Sequence, residues 1–166
     1  MKKKVIVLFV DNNPGVLARI TLLFAQRGFN ISSLTVSETC IENVSRISIV
    51  VDAKEEIITQ VIKQSSKLVE VHCIHLPDET NMILKDLLLL KLYIKSCDRK
   101  KICLLADLYN AKMIDISDDS LILELVASPE IIDEYLEKMQ EFEILEQTRT
   151  GITAMERGVV NFHCNL

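Results

Sequence analysis

The chain has 166 residues, a length that allows one or two small domains. Hydrophobic residues make up 49% and charged residues 26%, which excludes intrinsic disorder, and only four glycines and three prolines leave no room for long flexible linkers. The formal net charge of −5 argues against a general nucleic-acid binder, because phosphate contacts need a basic surface.

Two apolar runs are too short to be targeting or membrane segments. Val5–Val10 follows three lysines but is shorter than the hydrophobic region of a signal peptide. Leu87–Ile94 is too short to cross a bilayer and contains Lys91. We therefore expect a cytoplasmic protein.

Hydrophobic periodicity predicts six elements in the first half of the chain. A continuous apolar run predicts a buried strand, and apolar residues at helical spacing follow the turn Asp11–Gly15. The predicted elements are strand Lys4–Val10, helix Gly15–Arg27, strands Asn30–Glu38 and Val44–Asp52, helix Lys54–Lys67 and strand Leu68–Leu76. This βαββαβ order is that of a ferredoxin-like unit.

The same order repeats after the polar segment Pro77–Asn81, where we place the domain boundary. The predicted elements are strand Leu84–Lys95, a helix from Asp98 to Tyr109, strands Lys112–Ser117 and Leu121–Ala127, a helix beginning at Pro129, and strand Glu143–Thr150. The sequence thus predicts an α+β protein of two tandem ferredoxin-like βαββαβ domains. Their predicted bounds are residues 1–77 and 84–158, followed by a tail over residues 159–166.

The first strand of each predicted domain is apolar on both faces, as Val5–Val10 and Leu87–Leu90 illustrate. A four-stranded sheet with both helices on one face leaves its other face open, where alternating polar residues are usual. We therefore expect the second face to be covered by another copy of the chain or by another protein.

The loop Asp11–Gly15 joins a buried strand to the start of a helix, where backbone N–H groups and the helix dipole favour an anion. Gly15 allows close approach to the backbone, and the Asn12 amide can donate and accept. Because the loop has no lysine or arginine, a carboxylate fits better than a phosphate. Aliphatic residues nearby suit an aliphatic α-amino acid: Val16, Leu17, Ile31 and Leu34. The same spacing also fits an ordinary turn.

Signatures of catalysis and of metal binding are weak. The chain has no G-x-S-x-G, no H-E-x-x-H and no phosphate-binding loop. His72, Cys73 and His75 lie in one predicted strand, but only Cys73 and His75 share a side, and a zinc site needs three or four ligands. We predict no catalytic residue and no metal, and a small enzyme of this fold is the least favoured alternative.

Several blocks of the sequence together match one known pattern. They are Asn12–Leu17, Phe24 with Arg27–Ile31, Ser33–Val36, Ser45–Ile47, Lys63–Val71, Ile114–Ser117 and Arg149–Gly158. These blocks resemble the small regulatory subunit of acetohydroxyacid synthase (acetolactate synthase), whose N-terminal domain is an ACT domain. The resemblance extends over nearly the whole chain.

The resemblance implies a non-catalytic regulatory subunit in branched-chain amino acid biosynthesis. Such a subunit binds the catalytic subunit, which uses thiamine diphosphate, Mg and FAD, and raises its activity. It also confers allosteric feedback inhibition by valine or another branched-chain amino acid, isoleucine or leucine. This chain would itself bind no cofactor, no nucleic acid and no membrane.

The resemblance also implies an effector site between two paired ACT domains of a homodimer. The residues at matching positions are Asn12, Gly15, Val16 and Leu17 from one chain, and Asn30 and Ile31 from its neighbour. One methylene separates valine from isoleucine or leucine, so the identity of the effector stays open. The alternative is a stand-alone ACT-type amino-acid sensor that regulates a different enzyme or a transcriptional partner, although such a sensor has no need of the ending Arg149–Gly158.

Overall fold

A computed structural model describes residues 3–26, 28, 30–52, 55–94 and 98–158. The first set of elements is β1 (Lys3–Asp11), α1 (Val16–Ala25), β2 (Ile31–Glu38), β3 (Val44–Asp52), α2 (Glu55–Ser65) and β4 (Val71–His75). After a 3-10 turn over Glu79–Asn81 come β5 (Met82–Tyr93), α3 (Arg99–Tyr109), β6 (Lys112–Ile116), β7 (Ser120–Ala127), α4 (Pro129–Met139), β8 (Ile144–Arg149) and β9 (Thr153–Glu156). The two βαββαβ sets confirm the predicted fold class.

Most element bounds agree with the sequence patterns. Pro129 occupies the first turn of α4, and Gly28 follows α1 with a positive φ of 73°. β4 is shorter than predicted, and β9 is an additional strand that the periodicity did not indicate. The predicted ends at Arg27 and Lys95, the start at Lys54 and the tail 159–166 lie outside the described residues.

Contacts divide the chain into two compact units. The first unit comprises Met1–Ile83 together with Ile152–Leu166, and the second comprises Leu84–Gly151. The sequence analysis assigned residues 152–158 to the second domain, whereas the contacts group this part of the chain with the first.

In the first unit, four antiparallel strands pair in the order β2-β3-β1-β4 across the described residues. Side chains alternate between the two faces, and one face packs against α1 and α2. The core on that face is formed by Ile6, Leu8, Val10, Val16, Ile20, Phe24, Ile47, Ile49, Val51, Ile58 and Val61.

The second unit repeats this layout, with strand order β6-β7-β5-β8 and a core between its sheet and helices α3 and α4. Asp86 of β5 is buried and accepts hydrogen bonds from the Thr150 hydroxyl (3.1 Å) and the Gly151 N–H (3.1 Å). Arg149 forms salt bridges with both Asp86 and Asp133. These contacts secure the end of β8 to β5 and α4.

Within the first unit, the segment Ile152–Glu156 lies across the sheet face that α1 and α2 leave open. At the β2 edge, the Ile152 N–H donates to the Ser33 hydroxyl (2.8 Å), and the Ile152 carbonyl accepts from the Thr35 hydroxyl (2.6 Å). We call this segment the covering segment.

The covering segment continues across the sheet to its opposite edge. Arg46 of β3 donates to the carbonyl of Ala154, a residue with 0% exposure. Glu156 then pairs with His75 of β4, with 2.9 Å between Nε2 and Oε2. Hydrogen bonds thus run from β2 through β3 to β4.

This arrangement corrects one expectation from the sequence. Val5, Val7 and Val50 lie on the second face of the first sheet and are buried. A second copy or another protein was expected to cover that face. In the first unit the chain's own covering segment lies there instead, so two-sided apolar strands are not by themselves a sign of association.

The α-helices in the described residues are 10 or 11 residues long, whereas a helix that spans a bilayer needs about 20 apolar residues.

We expect removal of the β2 contacts to loosen the covering segment. Ser33→Ala leaves the Ile152 N–H without its acceptor, and Thr35→Ala removes a donor. Each variant should lower the free energy of unfolding by about 1 kcal/mol and speed amide exchange over residues 152–156. Ser32→Ala, at an exposed neighbouring position, is the matched control. Equal exchange in all three variants would show that these hydroxyls do not hold the segment.

Acid should weaken the other end of the covering segment. The hydrogen bond from His75, with a second from the Asp78 N–H (2.9 Å), lowers the pKa of Glu156 below its usual value. A depressed carboxyl pKa contributes stability above the unfolded-state value of about 4.3, and that contribution is lost as pH falls through the lowered pKa.

Amide exchange at residues 152–156, corrected for its intrinsic pH dependence, should therefore rise as pH falls below about 4.3. Glu156→Gln should show the faster exchange already at neutral pH, and Glu42→Gln at an exposed loop position should not. Constant protection across this pH range would contradict the assignment.

Candidate functional site

The loop between β1 and α1 presents the start of the helix to solvent. The Asn12 N–H donates to the Asn43 carbonyl (2.8 Å), and the Val16 N–H donates to the Asn13 carbonyl (3.3 Å). Gly15 is the N-cap residue with φ of 88°, so no side chain caps the helix, and the first turn carries no acidic residue. A Cβ added at Gly15 would meet no atom within 4 Å. The corner can therefore receive a small anion at backbone N–H groups.

The Asn12 side chain is not free in this loop. Its Nδ2 donates to Oε1 of Glu38, the last residue of β2, over 3.0 Å. Both side chains are exposed. Glu38 is thus a neighbour of the predicted site that the sequence analysis did not select.

Two other carboxylates near the loop already have a partner, which is a histidine in one case and an arginine in the other. Asp11 contacts His72 with 2.7 Å between Oδ1 and Nε2, and Glu70 pairs with Arg19. Glu70 also accepts through its backbone carbonyl from the Asp11 N–H (2.9 Å).

Four of the predicted residues lie at this end of the first sheet, but they differ in what they expose. Asn12 and Gly15 are exposed, and Leu17 is 38% exposed. The Val16 side chain is buried in the core of the first unit, so only its backbone faces the loop. The assignment of Val16 to the site stays a prediction.

The remaining two predicted residues, Asn30 and Ile31, lie at the opposite end of the sheet. Ile31 pairs with Val51, whereas Glu38, beside Asn12, pairs with Ser45 at the other end of β3. The eight residues of β2 span about 23 Å at 3.3 Å per step. One chain therefore does not bring Asn12 and Asn30 together.

The strand that separates these two groups lies at the edge of its sheet. Among the described residues, β2 pairs with β3 alone, which leaves its outer backbone groups available. Val36 of β2 is 43% exposed, although it is an apolar residue.

The described residues contain no group of three side chains that could hold a metal ion. His72 and His75 each contact a carboxylate, on Asp11 and Glu156 respectively. Register places Cys73 opposite Phe9 and His75 opposite Val7, on one face of the sheet as predicted.

Comparisons with known proteins agree over both halves of the chain. The family described as "AHAS small subunit-like ACT domain" matches residues 6–73, and the family "Small subunit of acetolactate synthase" matches residues 85–158. The match to the second family ends at residue 158, so it includes the covering segment.

Whole-chain relatives give the same result. The "probable acetolactate synthase small subunit" of Archaeoglobus fulgidus is 37% identical over 156 residues, covering 94% of this chain and 98% of that one. The acetolactate synthase small subunit of Mycolicibacterium smegmatis is 35% identical over 151 residues, covering 91% and 89%.

The crystal structure of the small subunit from Thermotoga maritima has a TM-score of 0.88 and 33% identity to this chain, covering 96% of this chain and 100% of that one. Sequence blocks, fold and relatives agree along the whole length. The chain belongs to the acetolactate synthase small-subunit family and carries an ACT domain in its first half.

Proposed function

We propose that this chain is the non-catalytic regulatory subunit of a cytoplasmic acetolactate synthase. It binds the catalytic subunit, activates it and makes it sensitive to a branched-chain amino acid. The observation that carries the effector site is the uncapped start of α1 beside Asn12 in an ACT domain. Thiamine diphosphate, Mg and FAD belong to the catalytic partner.

The site is built from two copies of the chain. Asn12 and Asn30 lie at opposite ends of β2, and β2 is an edge strand. When two β2 strands pair antiparallel about a two-fold axis, the start of one faces the end of the other. Asn30 and Ile31 of the second copy then approach Asn12, Gly15 and Leu17 of the first.

The bound amino acid places its carboxylate on the backbone N–H groups at the start of α1. Asn30 of the second copy donates to the same carboxylate. The branched side chain packs against Leu17 of one copy and Ile31 of the other. Val16 contributes neither its buried side chain nor its N–H, which donates to the Asn13 carbonyl.

Ligand binding between two copies favours one arrangement of the dimer, and that arrangement activates the catalytic subunit less. A coupling free energy of about 1–3 kcal/mol accounts for regulation of about 5- to 150-fold. The alternative of a stand-alone sensor is disfavoured by the second-half match to small subunits over residues 85–158.

Gly15→Asp tests the proposed effector site at the start of α1. The new carboxylate would occupy open space beside the N–H groups and repel the ligand carboxylate. We expect inhibition by valine to be lost while stimulation of the catalytic subunit is retained. Activity is measured by titrating the chain into purified catalytic subunit, with and without valine, leucine or isoleucine.

Gly15→Asn is the matched control, because it imposes a similar cost at a φ of 88° without adding charge. It should keep more of the valine response than Gly15→Asp. Unchanged valine sensitivity in Gly15→Asp would refute the site, and lack of any stimulation by the unmodified chain would refute the function.

The two-copy site predicts a dimer in solution. Val36→Lys places a charge on the β2 edge and should weaken self-association at least about tenfold, along with the valine response. Val69→Lys, at a position 93% exposed, is the control that should do neither. Sedimentation velocity measures the mass, and a monomer at the concentrations that support inhibition would contradict this arrangement.

A further inference from the structure

We propose that Glu38 binds the α-ammonium group of the amino-acid effector, so that the site selects amino acids over other branched carboxylates. This inference rests on the proposed effector site and adds a residue that was not among those predicted from the sequence.

An α-amino acid carries two opposite charges on one carbon. The start of α1 accounts for the carboxylate, but the ammonium group also loses water on binding and needs acceptors of its own. None of the residues predicted for the site is acidic: Asn12, Gly15, Val16, Leu17, Asn30 and Ile31. Charge-assisted hydrogen bonds to a carboxylate are the strongest available match for an ammonium group.

Glu38 is the carboxylate best placed to supply them. It contacts the site directly, through the 3.0 Å hydrogen bond from Asn12. Asp11 and Glu70 lie near the same loop, but each is already engaged, by His72 and Arg19 respectively. Among the described residues, the hydrogen-bond partner of Glu38 is the neutral amide of Asn12 rather than a cation.

The hydrogen bond to Glu38 also determines which atoms of the Asn12 side chain can contact a ligand. One of the two Nδ2 hydrogens is used by Glu38, which leaves the other as a donor and the Oδ1 oxygen as an acceptor. Asn12 and Glu38 then present two acceptor oxygens beside the N–H groups of the helix start. The acceptor oxygens suit the ammonium group of an amino-acid zwitterion, and the N–H groups suit its carboxylate.

The arrangement discriminates by charge rather than by shape. A 2-oxo acid with the same branched side chain offers the carboxylate but no ammonium group. It would bring a carbonyl oxygen towards Glu38, leaving two acceptors facing each other. A site of this kind rejects such an analogue more strongly than it rejects one extra methylene.

Glu38→Gln tests this assignment because glutamine keeps an acceptor for Asn12 but removes the charge. Binding of L-valine and of 3-methyl-2-oxobutanoate to the full chain is measured by calorimetry. L-valine inhibition is measured in the complex with the catalytic subunit. We expect L-valine binding to weaken roughly 10- to 100-fold, and its preference over the oxo acid to shrink by the same factor. Glu42→Gln, in the exposed loop after β2, should match the unmodified chain.

The outcomes separate the role of Glu38 from the proposed function. Wild-type affinity for L-valine in Glu38→Gln would overturn the role of Glu38, even if Gly15→Asp abolishes binding and so supports the site. Equal affinity of the unmodified chain for L-valine and the oxo acid would overturn it as well. Failure of the unmodified chain to bind any branched-chain amino acid would overturn the proposed function and this inference together.

Discussion

Burial of both faces of β1 is the constraint on which the first unit depends. Ile6, Leu8 and Val10 face the helices, whereas Val5 and Val7 face the other way and are buried as well. Apolar area on the second face is stabilising only when water is removed from it, at about 25 cal/mol per Å². The covering segment lies across this face and hydrogen-bonds to strands at both edges of the sheet. The candidate site at the start of α1 lies on the helix side of the sheet.

Local sequence signals predicted most of the fold, because helices α1 and α4 and strands β1 and β3 carry their own periodicity and turn residues. They could not predict β9. Its four residues, Thr153–Glu156, contain one apolar pair and no turn signal. The residue before them, Ile152, hydrogen-bonds to Ser33 and Thr35, more than 100 positions earlier in the chain. The same long-range contact explains why coverage by another molecule was expected where the chain covers itself.

The candidate site also has residues that the sequence could predict and one that it could not. Gly15 and Asn12 were accessible to sequence reasoning because a turn followed by an uncapped helix start is a local pattern. Glu38 was not, since it is 26 residues from Asn12 and meets it only through the antiparallel register of β2, β3 and β1. Local patterns do not supply this register. Only a register assigned to the predicted strands would have placed Glu38 and Asn12 at one end of the sheet.

The position of the covering segment in the chain has a consequence for biosynthesis. The ribosome makes β1 to β4 first, then the whole second unit, and only afterwards Ile152–Glu156. Val5, Val7 and Val50 therefore remain uncovered by this segment while some seventy further residues emerge. Proteins whose contacts join distant parts of the chain fold slowly and expose apolar surface meanwhile. During synthesis the apolar second face of the first sheet therefore stays without this cover until residues 152–156 have been added.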